Sequence, residues 1–113
     1  MDVASFVSEL LAALAGSEDV QGVAYHAEGP TVRGRAYFGE EFFLAFYYNQ
    51  VTGTQAFALV SGKQRIWGID YDKNRGWHLH PLNQEESHIR VSSQSISSII
   101  QQVGEVISNL GAT

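Results

Sequence analysis

The chain has 113 residues, no cysteine and a formal net charge of -5. That length supports one hydrophobic core and not two, and the lack of cysteine excludes a disulfide framework, a thiolate nucleophile and a thiolate-bound zinc site. The acidic balance argues against generic polyanion binding.

The opening stretch MDVASFVSELLAALAGSE has the Leu/Ala content of an export signal, but Asp2 stands where a basic segment belongs and Glu9 interrupts the apolar run. No apolar run reaches the roughly 20 residues that cross a bilayer. The expectation is therefore a cytoplasmic protein with no membrane partner. All seven Lys and Arg lie between Arg33 and Arg90, whereas the two ends carry acids alone. Such a chain has acidic helices around a mixed or basic middle, which keeps an RNA contact through that middle open.

Val3, Phe6, Val7, Leu10, Leu11 and Leu14 recur at three- and four-residue spacing and predict a helix from about Val3 to Ala15, ended by Gly16. Ala4, Ser5, Ser8 and Ala12 form its small, weakly polar back. From Val20 the period changes to two. VQGVAYHA reads as a first strand and Thr31 to Phe38 as a second, with Val32, Gly34, Ala36 and Phe38 on one face and Arg33, Arg35 and Tyr37 on the other. EFFLAFYY is apolar on both faces and reads as a central strand. TQAFALV and QRIWGIDY follow, separated by turn residues.

Every connection is too short for a helical crossover, so the strands form an antiparallel meander. Ser92 or Ser93 offers an N-cap for a closing helix striped by Ile96, Ile99, Ile100, Val103, Val106, Ile107 and Leu110 and stopped by Gly111. The predicted fold is a single α+β domain over residues 1–113: an antiparallel β-meander of about five strands, flanked by an N-terminal and a C-terminal helix packed on one sheet face. The other face is expected to show Tyr37, Phe43, Tyr47, Trp67 and Ile69 beside Arg33 and Arg35. A patch that apolar implies a homodimer or a partner protein docked on it.

The chemistry concentrates between Arg65 and Pro81. His78 and His80 flank Leu79, and on an extended backbone both imidazoles point to one side. Such a pair needs a further ligand to hold a metal; Asp70, Asp72, Glu86, His88 and His26 are the candidates, and none is fixed by spacing, so no metal or cofactor is assigned. Asp72, His78 and His80 are the candidate catalytic residues, since an acid beside an imidazole orients it for proton transfer. Arg33, Arg35, Trp67, Arg75 and Trp77 are the candidate binding residues, the arginines for an anion and the tryptophans for a flat apolar surface. The plainer alternative is that Asp72 to Gly76 is only a polar turn leading into a short strand WHLH, although turns at strand ends commonly carry sites. No phosphate loop, serine nucleophile motif or metalloprotease helix is present.

Tyr71-Asp72, His78-Leu79-His80 and the Ser-capped closing helix together resemble the TumE-type toxin proteins of small toxin–antitoxin pairs, over roughly Arg33 to Leu110. Members of that family usually carry a longer His-containing stretch after the Asp and a Tyr-His pair in the preceding strand. Here the turn is shorter, and Gln55 to Ala58 holds neither residue. The resemblance implies a growth-inhibiting protein that acts on RNA and is neutralised by a partner covering its site. A non-catalytic partner-binding domain and a histidine-based metal-binding domain are the rival readings.

Overall fold

In the computed structural model, which describes residues 1–84 and 87–111, the Asp2 carboxylate accepts the Ser5 N–H at 2.7 Å and so caps helix α1, Val3–Ala15. These bonds, the backbone N–H of Ser5 above all, hold the Asp2 carboxyl below the usual carboxylate range. Phe6, Leu10 and Leu14 are the buried stripe. Leu11, expected in that stripe, is 38% exposed. It lies about 100° around the helix from Leu10, and an i, i+4, i+8 row is wide enough for this core.

Seven strands follow: β1 Val20–Glu28, β2 Thr31–Phe38, β3 Phe42–Asn49, β4 Gln55–Ser61, β5 Gln64–Asp72, β6 Gly76–His80 and β7 Ile89–Arg90. They form one sheet in sequential order, each antiparallel to the next. The α+β class and the meander are as expected, but the strand count corrects from about five to seven. Strand β6 is the short WHLH segment, and the two-residue β7 is too brief to carry a periodic signal. The chain closes with α2, Ile96–Gly111. Its cap is Ser95 rather than Ser92 or Ser93: the Ser95 hydroxyl accepts the Ser98 N–H, and its carbonyl accepts the Ile99 N–H, both at 3.0 Å.

Phe46, Tyr48 and Phe57 meet Phe6 ring to ring, and the Phe6 and Tyr48 rings stack at 4.6 Å. That places Val32, Ala36, Phe38, Leu44 and Leu59 on the same helix-covered face, where Ile96, Ile99, Ile100 and Val103 complete the core. The helix packing also differs from expectation. Helix α1 lies across β1, β2 and β3, while the backbone of α2 packs mainly along α1.

Pairing fixes which residues of the later strands share that core face. Ile69 lies opposite Phe57, and Trp67 opposite Leu59. Trp67, expected as a binding residue, and Ile69 are therefore buried under the helices and leave the opposite face, which corrects the expected apolar patch. At Gly34 the strands leave no room for a side chain: an added Cβ would lie 2.4 Å from the Ala24 carbonyl oxygen and 2.7 Å from the Phe46 ring. Among the described residues no helix is long and apolar enough to cross a membrane.

Candidate metal centre

Strands β5 and β6 are joined by a three-residue turn in which Asp72 pairs with Gly76, and Gly76 takes the left-handed φ of 71° that closes it. The Asp72 carboxylate organises this turn. Its Oδ1 accepts the N–H groups of Asn74 at 3.0 Å and Arg75 at 2.8 Å, while Oδ2 accepts the Arg75 Nε–H at 3.0 Å. The Arg75 backbone bond, followed by its side-chain bond, holds Asp72 below the usual carboxylate range. Asp72 is thus the anchor of Arg75, and Asp70 is the carboxylate that stands with the histidines.

Asp70 pairs with His78, Gly68 with His80 and His78 with Arg90. Side chains of paired residues project from the same face of the sheet, so Asp70, His78, His80 and Arg90 share the face turned away from the helices. His88, two residues before Arg90, joins them. Its ring centroid lies 4.4 Å from that of His80 and 5.6 Å from that of His78, and the latter two are 5.3 Å apart. His78 and His80 are buried at 6% and 4% exposure, whereas His88 is exposed and forms the open side of the cluster.

The hydrogen bonds determine the lone pairs. His78 Nδ1 lies 3.3 Å from the Gly76 carbonyl oxygen, which can only accept, so the neutral ring carries its proton on Nδ1 and its lone pair on Nε2. That Nε2 lies 3.6 Å from Asp70 Oδ2. His80 Nε2 lies 3.0 Å from the same Asp70 oxygen and donates to it. In the neutral ring His80 Nδ1 is then the acceptor, and it is buried with no hydrogen-bond partner. The ring edge holding Nε2 and Cδ2 meets Asp70 and the space at Gly68.

One ring nitrogen from each of His78, His80 and His88 lies within 4.8 Å of the other two. Zinc with bond lengths near 2.0–2.1 Å needs separations of roughly 3.3 Å, a contraction that the exposed His88 side chain can supply. The His88 imidazole is held below the usual histidine range, first by loss of solvation and then by positive charge on His80, His78, Arg75 and Arg65. A neutral ring is the form that binds metal.

The other sequence-derived candidates lie elsewhere. Trp77 is half-buried on the core side, its ring 5.2 Å from that of Tyr71. Arg33 and Arg35 are exposed on the open face of β2, and the Arg35 guanidinium covers the Phe43 ring at 4.4 Å. His26 sits on the edge strand β1 beside Glu28, five strands from β6. Glu86 lies outside the described residues. Arg90, which the sequence did not single out, lines a pocket of about 270 Å³ with Arg75, His78 and His88. Its alternation with His88 in HIR is the one signal that could have found it. No family model, curated protein or solved structure matches the chain.

Proposed function

We propose that this domain binds a late first-row transition metal of the zinc class through His78, His80 and His88, with Asp70 holding the His80 ring from behind. The observation that carries this reading is His80: one ring nitrogen is fixed by a carboxylate and the other is buried without a partner. An imidazole that binds metal through one nitrogen commonly donates from the other to a carboxylate or a backbone carbonyl. His80 and His78 supply one case of each. An orphaned buried acceptor costs about 1–3 kcal/mol, which coordination would offset. Three imidazoles leave a fourth position open, the pattern of a reactive rather than a purely structural zinc site.

The test is thermal unfolding of metal-free protein with and without added zinc, beside the His78→Ala/His80→Ala double variant. Zinc at about 100 times its Kd raises wild-type stability by about 2.7 kcal/mol and leaves the double variant unmoved. Equal melting temperatures with and without zinc in the wild type overturn the reading.

Self-association is a second, independent reading. It is favoured by the exposed Tyr37 ring beside the half-buried Phe43 and Tyr47, next to the long open edge of β1. The occupant is a second copy pairing along that edge. Light scattering that gives a monomer mass across the concentrations of the zinc titration removes it.

A further inference from the structure

We infer that the pocket lined by Arg75, His78, His88 and Arg90 binds a phosphoryl oxyanion, a terminal phosphate or a phosphodiester, with one of its oxygens on the open position of the metal. This inference rests on the metal reading above. Three observations place an anion there. First, the described residues lining the pocket are two guanidinium-bearing side chains and two imidazoles, with no carboxylate among them.

Second, Asp70 and Asp72, the acids of the adjoining strand β5, are engaged elsewhere. Asp70 is turned to His78 and His80, and Asp72 takes only the Nε edge of Arg75, which leaves the terminal amino groups of that guanidinium for another acceptor. The Asp72 bonds also hold Arg75 in place on its turn, so less side-chain freedom is lost when an anion binds. Third, Arg90 makes no ion pair among the described residues, although it sits directly across the ladder from His78.

The number of converging donors selects the chemistry. A carboxylate has two oxygens, enough for one guanidinium fork. A tetrahedral phosphoryl group has oxygens in three directions, which is what Arg75 on one side, Arg90 on the other and a cation between them require. The pocket opens to solvent past His88, so a phosphate that is part of a longer molecule can enter with the rest of that molecule outside.

The experiment measures binding of inorganic phosphate, of the dinucleotide UpA and of acetate to the zinc-loaded protein by calorimetry, in the wild type, Arg90→Gln and Arg75→Gln. Zinc affinity is measured for all three proteins, because neither arginine is a ligand. The expected result is phosphate or UpA binding that weakens at least about tenfold in each variant while zinc affinity stays within about twofold, with acetate bound weakly by all. Tighter binding of UpA than of phosphate identifies a phosphodiester as the source, and the reverse a terminal phosphate. Zinc bound normally with phosphate and UpA no tighter in the wild type than in the variants overturns the anion inference alone. A wild type that takes up no zinc overturns the metal reading, and this inference with it.

Discussion

His80 donates from Nε2 to Asp70 across the β5–β6 ladder at 3.0 Å, while its other ring nitrogen is buried with nothing to bond. In a chain without cysteine, that pairing is the strongest sign that the sheet face away from the helices is more than a second apolar surface.

Asp70→Asn is the variant closest to this relationship. It keeps the shape of the side chain but lets an amide compete for the proton position on His80, so the ring is no longer held as the Nε2–H form. Zinc affinity should fall about 10–100-fold, as for loss of a carboxylate that orients a ligand. The check is competition against a chromophoric chelator, and an unchanged affinity would show that Asp70 does not position His80.

The core makes its own demands. Leu10→Ala should cost about 2–5 kcal/mol and Phe6→Ala about 3–5 kcal/mol, because both side chains are buried and Phe6 touches three aromatic rings. Leu11→Ala, one residue from Leu10 and exposed, should cost under about 1 kcal/mol. Urea denaturation of the three variants measures the contrast. Comparable losses at Leu10 and Leu11 would mean that α1 is rotated from the orientation described.

Gly34→Ala should be among the most damaging single changes, on the order of 4 kcal/mol or more. The obstacle at 2.4 Å is the Ala24 carbonyl oxygen, a backbone atom of the neighbouring strand that cannot rotate aside. Soluble expression at the wild-type level with an unaltered melting temperature would contradict the β1–β2 register.

Much of the fold was legible because its signals are periodic. The bounds of α1 and β2, the faces of Val32 to Phe38 and the central place of Phe42–Asn49 all follow from spacing alone. The misplaced residues depend on pairing. Trp67 and Ile69 alternate with Gly68 and Asp70, and their face is set only when β5 registers against β4, where an irregularity between Leu59 and Val60 intervenes. The site was legible in part for the same reason. His78 and His80 share a face by alternation, but His88 reaches them only because a two-residue strand brings Ile89 and Arg90 back along β6. Asp72 looked like the functional acid because Tyr71-Asp72 carries the resemblance and stands close in sequence to His78 and His80. The ladder sets Asp70 against His78 and Asp72 against Gly76.

The pH dependence of the site has a definite sign. His88 in the folded chain titrates below its unfolded value, so the folded state binds fewer protons than the unfolded one between the two values. Stability is therefore greater above the unfolded pKa and falls as pH drops through that window. Zinc affinity falls in the same direction, since protons compete for the imidazoles. An NMR titration should place the His88 midpoint in metal-free protein below that of the same residue in urea-unfolded chain. A higher midpoint in the fold would mean that a carboxylate, not loss of solvation and neighbouring positive charge, governs that ring.

The most direct test of the metal reading is X-ray absorption at the zinc edge on protein loaded with one equivalent. The account predicts a first shell of nitrogen and oxygen near 2.0–2.1 Å with the outer-shell scattering of three imidazoles, falling to two in His88→Ala. A shell of oxygens without imidazole scattering, or an unchanged spectrum in His88→Ala, would contradict it.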